Sequence, residues 1–404
     1  MSQTEAVLPV YLDGHATTPL APEAEQAMAP WWHRRAGNAH SPHRRGTEAS
    51  VAVERARIEV ASLVGAAPQE LVFTSGATEA NNMAILGVAN AAQRAGDARR
   101  EIIVSAIEHK SVLSAAASLE EQGFKIRVCP VRRDGRLDVV AFQRLLSDQT
   151  LLVSVMAANN EVGTVQPIAD LLSDVRAVGA MIHVDVAQLA GKLPTCVADY
   201  DFASISSHKL YGPMGIGALF VSAAAQHRPR PLFHGGAQER GLRPGTLPTP
   251  LIVGFGAAAR VAALRLEKDL AHVRDLADRL VGRLEAKQVR LQRNTTGSHQ
   301  LPGSLSLRFF EVDAPSLIDA LADSVCLSEG SACTSGQIQP SHVLSAMSFT
   351  ESEMRETVRI YCGRYNDCSE IDYAADAIAD AIRRMTLAHW TDPPVRSVNE
   401  GRSH

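Results

Sequence analysis

The sequence lacks the features that mark several large classes of protein. No stretch reaches the roughly 18 uninterrupted apolar residues that a membrane-spanning helix needs. The first residues, MSQTEAVLPVYLDG, have no charged segment followed by an apolar one, so we expect no secretory signal. The formal net charge is only -4 over 404 residues, which gives no reason to expect nucleic acid as a direct partner. We therefore expect a soluble, cytoplasmic protein without a membrane partner.

Cysteine is also sparse: there are six, and they form neither a C-x-x-C pair nor a zinc-type grouping, so no metal site is expected. In a reducing compartment most of them can be small core residues. Cys333 differs, because its segment LSEGSACTSGQIQP is small, polar and glycine-containing, which predicts a surface loop. Exposed thiols oxidise, so Cys333 is either a tolerated surface cysteine or a thiol that must react.

Apolar runs rich in β-forming residues alternate with helical patterns from about residue 70 to 222. Strands of near-continuous apolar character between helices predict an α/β protein with a mostly parallel sheet covered on both faces. The predicted strands are LVFT (71–74), IIVSA (102–106), LLVSVMA (151–157), MIHVDV (181–186), FASISS (202–207) and GALFVS (217–222).

The pattern changes after about residue 260 to a long helix, the strand SLSLRF, another helix and the short strand VRIYCG. Few strands with flanking helices predict a smaller α+β domain. We expect a large domain over residues 15–262, and a small domain formed by residues 1–14 and 263–404 that carries the cysteine loop at about 326–340.

Lys209 follows a strand of buried type, in SSHKLYGPMGIG, and precedes a turn rich in glycine and proline. A lysine in a dry pocket has a lowered pKa, and its neutral amine can form a Schiff base with an aldehyde. Taken alone, however, the motif favours a surface lysine at the end of a strand.

Asp185 ends the strand MIHVDV, at the carboxyl edge of the sheet where open α/β folds bind ligands. A carboxylate there can pair with a pyridinium nitrogen and keep a cofactor ring protonated. His183 and Asp185 are also spaced like part of a metal site, but further ligands of the right spacing are missing.

The segment TSGATEANN (74–82) takes a strand through a glycine turn into a helix. Free backbone N–H groups and the positive end of the helix dipole make such a turn an anion site, to which Thr78 can add a hydroxyl. The segment is neither a Walker loop nor a G-x-G-x-x-G fingerprint. An anion nest, an acid and a lysine at three strand ends together fit pyridoxal phosphate, and His109 could stack on its ring.

The chain resembles the cysteine desulfurases that supply sulfur for iron–sulfur clusters and tRNA thiolation, which have the class V aminotransferase fold (fold-type I). The resemblance is carried, in the family's order, by YLDGHATTP, FTSGATEANN, EHKSV, NNEVG, HVDVAQ, SSHKLYGPMGIGAL, GGAQERGLRPGT and GSACTS. It runs from about Tyr11 to Arg364, and GSACTS is the segment that narrows it to desulfurases. It implies a homodimer that passes sulfur from L-cysteine to an acceptor protein.

The resemblance also implies the roles of individual residues. Lys209 would anchor the cofactor, Asp185 would pair with its ring nitrogen, Gln188 would contact its ring hydroxyl, and His109 would stack on the ring and move protons. The implied phosphate site consists of Gly76, Ala77, Thr78, Ser206 and His208, with Thr246 reaching the phosphate of the neighbouring subunit. The implied substrate ligands are Asn160, Arg359 and Asn38.

Alternation along VRIYCGR supports the role of Arg359 independently. Period two places Arg359 and Tyr361 on one face of the strand and Val358, Ile360 and Cys362 on the other. An arginine can hold a carboxylate through two parallel hydrogen bonds, which orients an amino acid well. We interpret Cys362 as structural, since it belongs to the packed face.

Cys333 would attack the sulfur of bound cysteine as a thiolate and leave as a persulfide, with alanine released. An unperturbed thiol has a pKa of about 8.5, so a nearby base is needed, and His109 is the candidate. Glu329 stands where the family commonly has serine, and its negative charge predicts a higher pKa for Cys333. Pro244 replaces the serine usual before G-T, which predicts a stiffer cross-subunit loop. The tail lacks the family's usual aromatic-plus-histidine ending.

Two other functions remain open from the residues. A different pyridoxal-phosphate reaction on the same fold, such as transamination or selenocysteine cleavage, would use the same Lys209 and Asp185, and only the Cys333 loop separates them. A non-enzymatic binding platform is the second alternative, although a platform has no use for five reactive groups at once.

Overall fold

The structure is a computed structural model that describes residues 8–330 and 340–391, with side chains up to residue 387. Cys333 and the last dozen residues lie outside these ranges. The strands are β1 (Val10–Tyr11), β2 (Leu71–Thr74), β3 (Glu101–Ser105), β4 (Lys125–Cys129), β5 (Thr150–Met156), β6 (Met181–Asp185), β7 (Phe202–Ser206), β8 (Gly217–Val221), β9 (Leu291–Arg293), β10 (Ser304–Phe309), β11 (Val325–Cys326) and β12 (Thr357–Tyr361).

The helices cover both faces of the main sheet and one side of the smaller one. They are α1 (Pro22–His33), α2 (Arg44–Leu63), α3 (Ala77–Arg94), α4 (Lys110–Ala117), α5 (Val139–Leu145), α6 (Ile168–Ala177), α7 (Thr249–Ala286), α8 (Ala314–Ala320), α9 (His342–Ala346), α10 (Glu351–Arg355) and α11 (Cys368–Thr391).

Seven strands form the main sheet in the order β2-β8-β7-β6-β5-β3-β4. The pairs from β7 to β4 are parallel, and β8 runs antiparallel to both of its neighbours. All six strands predicted from the sequence are present, and the α/β class is confirmed. The edge strand β4 was not predicted, because its sequence KIRVC is charged and largely exposed and so gives no apolar run.

Hydrophobic cores lie on both faces of this sheet, as strands buried on both sides require. One core contains Phe73, Val153, Val184 and Ile205, which face α2 and the first half of α7. The other contains Val72, Ile102, Leu152 and Leu219, which pack against α3 and α4. Successive residues of one strand thus serve opposite cores, because strand side chains alternate between the two faces.

A third core lies around the antiparallel sheet β12-β10-β9 and unites it with the second half of α7, with α8 and with α11. Leu12, from the start of the chain, belongs to it. Helix α7 contributes to this core and to the core that faces α2, and it runs unbroken through residue 262, where the sequence predicts a domain boundary. The division into two domains stays a proposal.

Helix α7 is also the one described helix long and apolar enough to cross a membrane by composition alone. An 18-residue window in it has a mean hydropathy of 1.3, and 56% of that window is buried inside the protein. Burial of that kind is expected for the core helix that joins these two apolar cores.

Candidate active site

A cavity of about 570 Å³ opens at the carboxyl edge of the main sheet. That volume lies within the range of about 300–1,000 Å³ typical of small-molecule and cofactor sites. Residues that follow β2, β3, β5, β6 and β7 reach it, together with residues from the smaller sheet and from the start of the chain. Its lining includes His15, Gly76, Ala77, Thr78, His109, Asn160, Glu161, Asp185, Gln188, Ser206, His208, Lys209, His342 and Arg359.

Lys209 lies in a short 3-10 helix, Ser207–Lys209, that follows β7. Its Nζ donates to the backbone carbonyls of His15 (2.5 Å) and Ala16 (2.6 Å), which orient the amine inside the cavity. The charge of Lys209 also acts on its neighbours, since it helps burial to lower the pKa of His208 to about 4. His208 is therefore neutral near pH 7, with Nδ1 3.0 Å from the hydroxyl of Thr17.

Asp185 is the last residue of β6, and its side chain is only 6% exposed. One carboxylate oxygen accepts from the Asn81 amide at 2.8 Å, and the other accepts from the Ala187 backbone N–H at 2.9 Å. The two donors fix the orientation of the carboxylate. Asp185 therefore presents a carboxylate of fixed orientation to the cavity.

The anion nest lies at the start of α3. Gly76 has a φ of +154°, which residues with side chains rarely adopt, and a Cβ added there would meet nothing within 4 Å. Among the described residues no side chain caps this helix end, so its first backbone N–H groups are left for another acceptor. An 18-residue helix that begins this way is suited to a phosphate. The backbone of Gly217 lies close to Gly76, since a Cβ added at Gly217 would lie 2.7 Å from the Cα of Gly76.

His109 is the N-cap of α4, and its Nδ1 accepts from the backbone N–H of Ser111 at 3.1 Å. The Ser111 hydroxyl lies 2.8 Å from the same nitrogen and accepts from the Asn81 amide at 2.9 Å. Burial lowers the pKa of His109, while the charge of Asp185 opposes this effect. Asn81 thus connects Asp185 to His109 through Ser111.

Gln188 contacts groups that fix its amide. Its nitrogen donates to the carbonyl of His15 at 3.0 Å, and its oxygen accepts from Lys192 at 2.9 Å and lies 3.1 Å from His15 Nδ1. Lys192 is buried, and desolvation holds its pKa well below the usual range for lysine. Its Nζ also lies 4.6 Å from the ring centre of Tyr361.

Arg359 reaches the cavity from the opposite side, in the middle of β12. The Arg359 guanidinium donates to the Asp13 carboxylate at 2.7 Å and to the Ser328 hydroxyl at 3.1 Å. The Nε of Arg359 is buried and has no partner among the described residues. Val358, Ile360 and Cys362 lie in the core behind it, so the predicted alternation is confirmed. Burial raises the pKa of the Cys362 thiol to about 12, as a structural cysteine requires.

The structure does not bring every predicted site residue to the cavity. Thr246 and Asn38 are both exposed, and neither lines the cavity in this chain. The Thr246 segment is nevertheless joined to the anion nest, because Arg243 forms an ion pair of 2.9 Å with Glu79 in the first turn of α3. Cys333 lies outside the described residues.

Sequence reasoning missed several lining or supporting residues, among them His342, Glu161 and Glu108. His342 begins α9, directly after the cysteine loop, and its Nε2 lies 3.0 Å from the backbone carbonyl of Glu108. The Glu161 carboxylate accepts from the Ser341 hydroxyl, and a Cβ added at Gly330 would lie 2.2 Å from it. A histidine at a helix start just past a reactive loop is the one signal that could have been noticed.

The chain matches the aminotransferase class-V family over residues 10–374, and it belongs to that family. Members of this family use pyridoxal phosphate. Cysteine desulfurase IscS of Rickettsia felis is 44% identical over 381 residues, covering 94% of this chain and 92% of the relative. The solved structure of a NifS-like protein has a TM-score of 0.86 at 34% identity and covers 93% of this chain and all of that one.

A further solved relative, SspA in complex with cysteine, has a TM-score of 0.77 at 35% identity and covers 89% of this chain and all of its own. Within the class-V family, the chain therefore belongs to the cysteine desulfurases, which are enzymes. The fold and the family predicted from the sequence are both confirmed.

Proposed function

We propose that this enzyme binds pyridoxal 5'-phosphate in the cavity described above and converts L-cysteine to L-alanine. The sulfur is kept as a persulfide on Cys333 and then passed to an acceptor protein. The observation that carries the proposal is a convergence: an amine (Lys209), a fixed carboxylate (Asp185) and an anion nest at Gly76–Thr78 line one cavity, with a guanidinium (Arg359) opposite.

The donor set fits this cofactor in each of its parts. Lys209 is the amine for a covalent bond to an aldehyde, Asp185 is an acceptor for a protonated ring nitrogen, and Gln188 turns an amide of fixed orientation toward the cavity. The uncapped start of α3, with Thr78, Ser206 and His208 beside it, is suited to a phosphate. Bound pyridoxal phosphate supplies an electron sink for negative charge at the substrate's α-carbon.

Arg359 is the group that we assign to the substrate carboxylate, with Asn160 beside it. Its guanidinium is buried and already oriented by Asp13 and Ser328, and its Nε still needs an acceptor. A buried N–H without an acceptor costs about 1–3 kcal/mol, and a carboxylate would remove that penalty. An amino acid held there would direct its α-carbon toward Lys209, the group available to move the α-proton.

Glu329 precedes Cys333 by four residues in the sequence and is one residue from the end of the first described range. Burial raises the pKa of its carboxyl, with Asp313 acting in the same direction and Arg355 against it. When Glu329 is ionised, it disfavours a thiolate nearby. The higher pKa predicted for Cys333 stays a proposal. It is tested by following Cys333 alkylation against pH in the wild type and in Glu329→Ser, and coincident curves would reject it.

We further propose that the enzyme is a homodimer in which Thr246 serves the phosphate site of the partner. This assignment is supported by the exposure of Thr246 and by the ion pair of Arg243 with Glu79, which holds its segment near the nest. A monomeric and fully active protein in sedimentation experiments would contradict it. The acceptor belongs to iron–sulfur assembly, to tRNA thiolation or to DNA sulfuration, and pull-down of the persulfidated enzyme identifies it. The cytoplasmic location stays a prediction.

The decisive experiment mixes purified enzyme, loaded with pyridoxal phosphate, with L-cysteine and a reducing thiol. We expect alanine and sulfide in equal amounts, and expect Cys333→Ser to lose sulfide formation while it still binds the cofactor. A keto acid without sulfide would indicate transamination instead. Preference for selenocysteine, with no turnover of L-cysteine, would indicate a lyase for that substrate.

A further inference from the structure

Two of the histidines that line the cavity, His342 and His109, have hydrogen bonds that fix which ring nitrogen carries the proton. A neutral imidazole carries one proton, so one ring nitrogen donates and the other accepts. Which nitrogen does which can be inferred when one of them faces a group that can only accept or only donate. Both His342 and His109 have such a partner.

For His342 the partner is an acceptor. Its Nε2 lies 3.0 Å from the backbone carbonyl oxygen of Glu108, which carries no hydrogen and can only accept. The proton of the neutral ring is therefore on Nε2. The lone pair that can take up a proton is on Nδ1, on the ring edge away from Glu108.

For His109 the partner is a donor. Its Nδ1 faces the backbone N–H of Ser111, which can only donate. The Ser111 hydroxyl acts in the same sense: it accepts from the Asn81 amide, so its own hydrogen is available to Nδ1 at 2.8 Å. With two donors on Nδ1, the neutral ring of His109 carries its proton on Nε2 and has no lone pair left for a further proton.

The position of His342 does not depend on residues outside the described ranges. Helix α9 is anchored by a small apolar cluster in which Val343, Leu344 and Met347 pack against Ile107 and Met156. Ser341 caps the helix with its hydroxyl and donates to Glu161. These contacts hold the imidazole at the cavity wall, next to the segment after β3 that carries His109.

An acidic group lies near His342: Glu161 also lines the cavity, and its carboxylate accepts from Ser341, the residue before His342. Glu161 lies close enough that a positive His342 lowers the pKa of its carboxyl, against the larger effect of burial, which raises it. Glu161 can therefore balance the positive charge that the imidazole gains when it accepts a proton. His109, in contrast, lies in a buried environment that disfavours its charged form.

We propose that His342 is the proton acceptor of the cavity, through Nδ1, for a thiol that enters it, and that His109 acts as a hydrogen-bond donor. The S–H bond breaks, its proton moves to Nδ1, and the electron pair stays on sulfur as a thiolate, so no oxidant or reductant is needed. This assignment replaces His109 as the base needed for the thiol. It rests on the proposed function, because a base for a thiol is needed only if the enzyme acts on a thiol.

The first test reads the tautomers directly in the loaded enzyme. Histidine labelled with ¹⁵N in both ring positions distinguishes protonated from unprotonated nitrogens by NMR, and His342→Gln and His109→Gln assign the two signals. We expect an unprotonated Nδ1 on both rings near neutral pH, with coupling of Nδ1 to the Ser111 N–H in His109 alone. A protonated Nδ1 on His342 overturns the proposal, whether or not the enzyme turns over cysteine.

The second test measures proton transfer. His342→Gln keeps an N–H for the Glu108 carbonyl but cannot accept a proton, so we expect alanine formation in a single turnover to slow about 10²-fold or more, with KM little changed. His342→Ala opens space, and added imidazole should restore part of its rate. The exposed His299→Gln serves as the matched control and should behave as the wild type.

The thiol that loses its proton to His342 is that of L-cysteine or that of Cys333. The rate at which Cys333 is alkylated in the absence of substrate distinguishes these two cases. Slower alkylation in His342→Gln assigns the proton to Cys333, whereas unchanged alkylation with a slow single turnover assigns it to L-cysteine. If both rates match those of the control, His342 is not the base. A wild type that releases no alanine refutes the proposed function, and alkylation then still decides on His342.

Discussion

The cavity has two walls that are built in different ways. On the wall formed by the main sheet, Lys209 and Asp185 stand where strands end, and backbone groups hold both of them. On the wall formed by the smaller sheet, Arg359 lies in the middle of β12 between core residues. Because several strands end at the same edge of a sheet, chemically different groups that follow them can meet in one cavity. The position of a side chain in the middle of a strand depends instead on the core residues that pack on the other face of that strand.

The comparison predicts that the largest loss follows from a change at the main-sheet wall. Lys209→Ala should lower the rate of alanine formation by about 10³-fold or more, because it removes both the covalent anchor and the amine that moves the α-proton. The visible absorption of the bound cofactor should shift or disappear in the same variant. Stopped-flow rates and spectra measure both effects.

The matched control is Lys125→Ala, an exposed lysine on the edge strand β4. It should retain the wild-type rate and spectrum. An active Lys209→Ala enzyme with an unchanged spectrum would remove this lysine from the chemistry and leave the cavity without its anchor.

The next effect concerns the small-sheet wall. Arg359→Lys keeps the positive charge but loses the planar pair of donors, so KM for L-cysteine should rise about 10- to 100-fold while kcat changes less. A loss of about 1.5–3 kcal/mol for a charge-assisted hydrogen bond corresponds to that range. Steady-state kinetics with Arg308→Lys, on the neighbouring β10 but paired with Glu353 and Glu356, provide the control. An equal rise in KM for both variants would mean that the sheet, not the guanidinium, is responsible.

The main-sheet wall was more predictable from sequence than the small-sheet wall. Strands such as MIHVDV and FASISS are largely apolar and buried, so their limits and the positions of Asp185 and Lys209 at or just past their ends follow from local pattern alone. For β12 the alternation of residues along the strand predicted the face of Arg359 correctly, because the residues on the other face pack into a hydrophobic core.

What the sequence could not provide are the contacts made between distant segments. His342 meets Glu108 across 234 residues, and Asn81 meets Asp185 across 104. Neither pairing leaves a periodic signal, because each depends on how α9 and α3 pack and not on the residues beside it. The tautomers of His342 and His109, and hence the division of their roles, were for the same reason outside the reach of motif analysis.

A third prediction concerns stability on the main-sheet wall. Glu108 is buried, and desolvation raises the pKa of its carboxyl to about 8, although Ser105 and the Met156 N–H donate to it. The folded protein then keeps a proton that the unfolded chain has lost, so stability is greatest below the unfolded pKa of 4.5 and declines as the pH rises toward 8. The expected slope is about 1.4 kcal/mol per pH unit in that window.

Glu108→Gln should abolish that slope, because the amide oxygen can accept both existing hydrogen bonds and the amide does not titrate. Urea unfolding at several pH values between 5 and 8 measures it, and the exposed Glu120→Gln should keep the wild-type slope. If the variant and the wild type lose stability in parallel over this window, another group is responsible for the pH dependence.

The smallest predicted effect separates the two faces of β12. Ile360 is buried in the core behind Arg359, and Ile360→Val should lower the free energy of unfolding by about 1 kcal/mol through the lost methylene and the small cavity left behind. Ile103→Val, in the core of the main sheet, should lower it by a similar amount. Neither change should alter KM for L-cysteine if the front of β12 holds the substrate independently of its back. A rise in KM for Ile360→Val but not for Ile103→Val would mean that packing behind β12 sets the position of the Arg359 guanidinium. Changes in the core would then alter substrate binding at the small-sheet wall but not at the main-sheet wall.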